Sequence, residues 1–266
     1  MSQHEGLPFN TRNTLITLNE IRGLLLKYGV EDAVKDGGQY FKSMVHRSYC
    51  TRKNETFKAG NLQCPANCLP LQEESNERLE FLGDAVLNLI VADYLFERFP
   101  SENEGFLTRL RSKIVNGAML AELSLMLGLD KYVIISKHME DNDGRTNKKV
   151  MEDSFEAFLG AMYMSLASYD KTKAWFVAFL EANVDVTELV LTQHHDKDML
   201  AKYFQQTFNC QPKYIDDLAT TWKAHKFSVI VKNPKNAVVG TGRGATRKLA
   251  EDDAARAALR YFDVIK

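Results

Sequence analysis

Glu80 and Asp84 stand four residues apart in NERLEFLGDAVLNLIVADYLFERF, Asn76 to Phe99. Asp153 and Glu156 stand three apart in VMEDSFEAFLGAMYM. On a helix, both spacings put the two carboxylates on one face. Both stretches are apolar almost all the way round, so each expected helix is buried. A buried, unpaired carboxylate is expensive, and the usual remedies are an opposite charge, a raised pKa or a metal ion. If the two acidic faces meet, four carboxylates converge, and they cannot all stay ionised without a cation between them. Mg²⁺ suits such a site: it takes oxygen ligands, keeps waters and binds phosphate oxygens. With a phosphate ester as substrate, one or two such ions can activate water and stabilise the leaving oxygen. The competing reading is a solvated or salt-bridged acidic face. One pair alone would favour it. Two pairs on two apolar helices argue against it, because a solvated face should be mostly polar. Gly83 and Ala85, beside the first pair, thin the helix and permit close approach of another helix or a ligand.

The elements that must position these acids are mostly helical. Thr14 to Tyr28 carries an apolar stripe of Leu15, Leu18, Ile21, Leu24 and Leu25 at helical spacing. Tyr40 to Tyr49 reads as a second helix. The acid-bearing stretch follows and is stopped by Pro100. EGFLTRLRSKIVNGAMLAELSLMLG reads as one helix ending at Gly128. KYVII is short and apolar, and the basic loop GRTNKKV leads into the second acid-bearing helix. Lys173 to Ala182 is helical again. After the polar connector TQHHDKD the pattern changes. Met199 to Phe208 is helical; PKYIDDL, HKFSVIVK and AVVGTG are β-rich, with KNPKN as a turn; TRKLAEDDAARAALRYF is an Ala-rich helix. The expected order there is α-β-β-β-α.

The 266 residues are 45% hydrophobic and 26% charged, enough for one or two domains with real cores. The net charge of -1 is unevenly spread. From Asp196 to the end there are 13 Lys and Arg against 8 Asp and Glu; the rest carries 21 against 27. A basic C-terminal segment on an acidic body points to a polyanion-binding module joined to something else. No apolar run is long enough for a membrane span. Four cysteines in this length do not make a disulfide framework, which favours a reducing compartment inside the cell, the cytoplasm first. Cys64 and Cys68 are four apart, as are His46 and Cys50, and two such pairs can converge on zinc. The loop composition of AGNLQCPANCLPLQ favours a surface insertion instead.

NERLEFLGDAVL resembles the signature of the ribonuclease III family, endonucleases that cut double-stranded RNA. VHRSY (Val45 to Tyr49) resembles the family's earlier helix motif. EGFLTRLRSKIVN resembles its middle motif, with Phe106 where a polar residue is usual, and KVMEDSFEAFLGAMY resembles its closing motif. The resemblance puts the family's metal-binding catalytic acids on Glu80, Asp84, Asp153 and Glu156. Glu77 and Glu104 match acids with supporting roles in the cleavage valley, and Phe81 matches an aromatic that enters a pocket on a partner subunit. Residues 1–183 are then an all-α endonuclease domain with an insertion at about 51–75, followed by a linker at 184–196. Residues 197–266 are similar to a double-stranded RNA-binding domain. Thr246, Arg247 and Lys248 open its last helix, a suitable place for phosphates. Two departures stand out. Lys202 replaces the usual glutamate of the first helix, and His225 stands displaced toward the strand where the family has a Gly-Pro-x-His loop.

The resemblance implies a Mg²⁺-dependent endoribonuclease, with Mn²⁺ able to substitute, that cuts both strands and leaves 5′-phosphate and 3′-hydroxyl ends. One acidic quartet per chain implies a homodimer, since two strands need two sites. RNA processing, silencing and suppression of silencing are all compatible roles. The alternative is a non-enzymatic RNA-binding or ribosome-associated protein of the same fold, a class in which the acids are lost.

Overall fold

A computed structural model describes residues 8–31, 34–51, 63–191, 196–217 and 227–265. His225 lies outside them. The chain divides into two compact units, Met1–Val186 and Thr187–Lys266.

In the first unit, α1 (Leu18–Lys27) starts at a capping box: Thr17 accepts from the Glu20 backbone N–H, and the Glu20 carboxylate accepts from that of Thr17. This box starts the helix after Leu15, which is exposed instead of continuing the stripe. The helix expected over Tyr40 to Tyr49 is shorter. It appears as α2 (Gly38–Ser43), followed by a single 3₁₀ turn at Arg47–Tyr49. Between the two, Val45 pairs with Ile134, and the His46 N–H donates to the Ile134 carbonyl. That long-range pairing competes with helix for the same backbone groups.

The first acid-bearing helix, α3 (Glu77–Arg98), ends at Phe99 before the proline. The next helical stretch is two helices, α4 (Glu104–Ile114) and α5 (Gly117–Leu127). Asn116 makes the break: it leaves helical geometry and its side chain caps the Met119 N–H. The apolar period runs straight through this point, so periodicity alone does not show the break. Gly128 closes α5 with φ +73°, a conformation that suits glycine. After the short α6 (Lys137–Asp141), Asn147 caps the second acid-bearing helix, α7 (Lys148–Leu166), through the Lys149 and Val150 N–H groups. The unit's last long helix is α8 (Tyr169–Asn183).

Helix α7 is the axis of this unit. It buries an unbroken run from Ser154 to Met162, and Phe155 and Phe158 pack among Tyr40, Trp175, Phe176 and Phe179. Trp175 satisfies its indole N–H on the Leu24 carbonyl, 3.0 Å away, and so ties α8 to α1. A short helix, α9 (Val186–Leu191), lies in the stretch read from sequence as linker.

The second unit begins with α10 (Asp196–Phe208). Three antiparallel strands follow, β1 (Lys213–Asp216), β2 (Phe227–Lys232) and β3 (Val238–Gly244), in the order β1-β2-β3. Asn233 shapes the β2–β3 turn by accepting from the Lys235 and Ala237 N–H groups. Helix α11 (Arg247–Tyr261) completes the α-β-β-β-α order. It lies directly on β3: a Cβ on Gly242 would come within 2.0 Å of the Ala254 nitrogen. Leu200, Phe204, Val229, Val231 and the α11 alanines form the core.

The insertion's described end is anchored. Tyr49 donates its hydroxyl to the Leu69 carbonyl at 2.7 Å, Leu69 and Leu71 pack on Val45 and Tyr49, and Thr51 N donates to Gln72 O. All four cysteines are free thiols. Among the described residues, His46, Cys50, Cys64 and Cys68 do not gather as a ligand group.

Candidate active site

Helices α3 and α7 meet through glycines. Gly83 faces the Glu156 carbonyl and Gly160 faces the Leu79 carbonyl, with no room at either for a Cβ. The backbones therefore run close, and the acidic faces oppose each other. One carboxylate oxygen from each of Glu80, Asp153 and Glu156 lies within 4.8 Å of the other two. Glu156 is only 7% exposed, although it is charged at neutral pH in its ordinary state. Burial first, then the charges of Asp84, Glu152 and Glu80, push its carboxyl up to about 8. Burial and then Asp153 raise the Glu80 carboxyl, against the pull of Lys149.

Asp84 stands one turn along α3, exposed, outside the tight group of three. Its charge still reaches Glu156. Asn88 orients it, donating to Asp84 Oδ1 at 2.8 Å and to the Asp84 carbonyl at 3.0 Å. Glu77 lies exposed at the start of α3, held by Ser75 Oγ at 2.9 Å and by Arg47 at 3.8 Å. Glu104 lies in the first turn of α4, accepting from Thr108 Oγ1 at 2.9 Å, and is outside the group.

Two further charged residues belong to the site and escape a reading for acidic pairs. Lys149 Nζ lies 2.7 Å from Asp153 Oδ1, and Glu152 lies 3.6 Å from the same ammonium. The signal was present as helical spacing, since Lys149, Asp153 and Glu152, Glu156 are i, i+4 pairs. Lys149 Nζ is the counter-ion of the buried Asp153 Oδ1, and this contact is the main reason the Lys149 ammonium is held more firmly protonated than usual. The donor set is all oxygen, as a hard divalent cation requires. A cation also relieves the feature that costs most, the crowded negative charge around the buried Glu156. The residues present therefore fit a divalent ion.

Beside the acids, α3 presents an exposed apolar stripe at helical spacing: Phe81 (81% exposed), Leu89 (57%) and Phe96 (71%). In the second unit, Thr246 caps α11 through the Leu249 N–H. Arg247 is engaged by Asp216 at 3.5 Å and Glu251 at 3.1 Å. Glu251 also holds Lys197 at 2.5 Å, a neutralisation that the sequence reading missed. Lys248 and Lys202 are exposed, on α11 and α10.

A helical unit with three clustered carboxylates, one of them buried, followed by an α-β-β-β-α unit, defines a nuclease-like class. The family model described as the ribonuclease III domain matches residues 77–166, from the start of α3 to the end of α7. The chain is 36% identical over 190 residues to ribonuclease 3 of a Nitratiruptor species, covering 71% of this chain and 83% of the relative. It is 37% identical over 201 residues to a probable ribonuclease 3 of Acanthamoeba polyphaga mimivirus, spanning 73% of this chain but 36% of that protein. The nuclease domain of ribonuclease III from Campylobacter jejuni, 27% identical, aligns with a TM-score of 0.50 over 64% of this chain and 99% of that domain. The chain belongs to the ribonuclease III family, the endoribonucleases of double-stranded RNA.

Proposed function

We propose that the chain hydrolyses phosphodiester bonds on both strands of double-stranded RNA, with Mg²⁺ held by Glu80, Asp153 and Glu156 and approached by Asp84. The observation that carries this reading is the convergence of three carboxylates within 4.8 Å around a buried Glu156. A divalent ion bound there supplies a Lewis acid for a phosphate oxygen and an activated water. Glu156, whose carboxyl is pushed up to about 8, would give up a proton to a divalent ion that it holds. Asn88 keeps Asp84 turned for use, and Glu77 and Glu104 line the approach as supporting acids. Mn²⁺ also suits the all-oxygen set.

The stripe of Phe81, Leu89 and Phe96 supports a homodimer through this face. A second copy would cover three large apolar side chains, and two sites would serve two strands. The C-terminal unit supplies phosphate contacts around Thr246, Arg247 and Lys248, with Lys202 and His225 as further contacts. A non-enzymatic role gives no reason to bury Glu156 among other acids. No described helix is long and apolar enough to cross a membrane.

The test is a defined duplex RNA incubated with Mg²⁺ or with EDTA, followed by mapping of both product ends. Mg²⁺-dependent cuts on both strands with 5′-phosphates support the reading. Duplex that is bound but uncut at saturating Mg²⁺ favours the RNA-binding alternative.

A further inference from the structure

The carboxylate cage carries a counter-ion of its own. Lys149 Nζ lies 2.7 Å from Asp153, 3.6 Å from Glu152 and 3.8 Å from Glu80. Its own side chain is 64% exposed, whereas those of the three acids are 16%, 24% and 25% exposed. The acids are held in the protein and the lysine reaches them from solvent. A flexible, exposed stem of this kind can swing aside without opening the core.

The three partners are not equivalent. Asp153 and Glu80 belong to the group of three that fits an ion; Glu152 does not. Glu152 instead packs against the start of α5. Its carboxylate fills the space over Gly117, the first residue of α5, where a Cβ would come within 2.6 Å of Oε2. A divalent ion and an ammonium cannot share the Asp153 and Glu80 oxygens, because their repulsion at such range is large even when screened. Glu152, one turn from Lys149 on α7, remains available to the ammonium when the other two acids are taken.

We infer that Lys149 is a displaceable counter-ion, which neutralises Asp153 and Glu80 in the metal-free protein, yields them to the entering divalent ion and is retained at the rim by Glu152. The inference rests on the assignment of Glu80, Asp153 and Glu156 as ion ligands. Lys149 then sets the ion concentration at which the site fills. It also lets the acidic cage fold before any ion arrives, since the cage is never left with its full charge uncompensated.

The test is calorimetric titration of the full chain with Mg²⁺ at fixed pH and ionic strength, without RNA. Wild type is compared with Lys149→Met, Lys149→Arg and Glu156→Gln. Removing the competing charge should tighten Mg²⁺ binding about tenfold in Lys149→Met. Lys149→Arg keeps the charge and should stay within about twofold of wild type. Melting in EDTA gives a second readout: Lys149→Met should stay folded at the titration temperature but melt below wild type, whereas Lys149→Arg should melt close to it. Unchanged or weaker Mg²⁺ binding by Lys149→Met overturns the counter-ion role while leaving the ion ligands intact. Equal shifts for Lys149→Met and Lys149→Arg overturn it too, because charge is then not the cause. Wild-type Mg²⁺ binding by Glu156→Gln is a different failure: it places the ion elsewhere and removes the ligand assignment itself.

Discussion

A Cβ added to Gly83 on α3 would lie 1.8 Å from the Glu156 carbonyl oxygen on α7. The reciprocal contact, Gly160 against the Leu79 carbonyl, would place a Cβ at 2.4 Å. Two helices that carry the acids therefore touch backbone to backbone, and the cage width is set by the absence of two side chains.

Gly83→Ala should accordingly destabilise the fold despite alanine's better helix propensity. Overpacking costs about 1–3 kcal/mol, more than the gain of about 1 kcal/mol from replacing glycine. Urea unfolding of wild type and variant measures the difference. A variant as stable as wild type would mean that the helices separate freely, and that the glycine contact does not set the site.

The raised Glu156 carboxyl has a consequence for stability. Its value rises from 4.5 to about 8 in the folded protein. Its protonated form is thus favoured by folding. That contribution is complete below about 4.5 and is lost as pH rises through about 8. In EDTA, the melting temperature should fall between these values, and Glu156→Gln should flatten the fall. At pH 8 the variant should be more stable than wild type by on the order of 1–3 kcal/mol. A less stable variant at pH 8 in EDTA would contradict this.

Much of this site is legible in the amino-acid sequence. The two acidic pairs stand out because their helices are otherwise apolar, and α3, α7 and the C-terminal α-β-β-β-α order follow from periodicity. The break at Asn116 does not show, because a cap acts through one side chain while the apolar period continues across it. The end of α2 does not show either, because the pairing of Val45 with Ile134 is a long-range contact. Lys149 reads as part of a basic loop entry, and Glu152 belongs to neither acidic pair; only packing against α3 and Gly117 gives them a place in the site.

The exposed stripe on α3 predicts self-association. Replacing Phe81 and Phe96 together with Glu should raise the dimer dissociation constant at least about tenfold. Monomer stability should change little, because both side chains are exposed in the single chain. Sedimentation across a concentration series reads the first effect and thermal melting the second. An unchanged sedimentation profile would place the partner surface elsewhere.

In the C-terminal unit, Glu251 draws charge from both Lys197 and Arg247. Glu251→Gln should strengthen duplex binding a few-fold at low salt, and deletion of 187–266 should weaken binding and reduce its salt dependence. Binding isotherms over a salt series check both. A salt slope unchanged by the deletion would remove this unit from RNA contact.

The most direct measurement of the central claim compares binding and cleavage by Glu156→Gln on one defined duplex at saturating Mg²⁺. The substitution keeps the shape of a buried cage residue and removes one ligand charge. Duplex affinity should stay within about threefold of wild type, while the single-turnover cleavage rate falls by at least about a thousandfold. Cleavage at a wild-type rate with Mg²⁺ still required would show that the ion and the chemistry lie outside the cage of Glu80, Asp153 and Glu156.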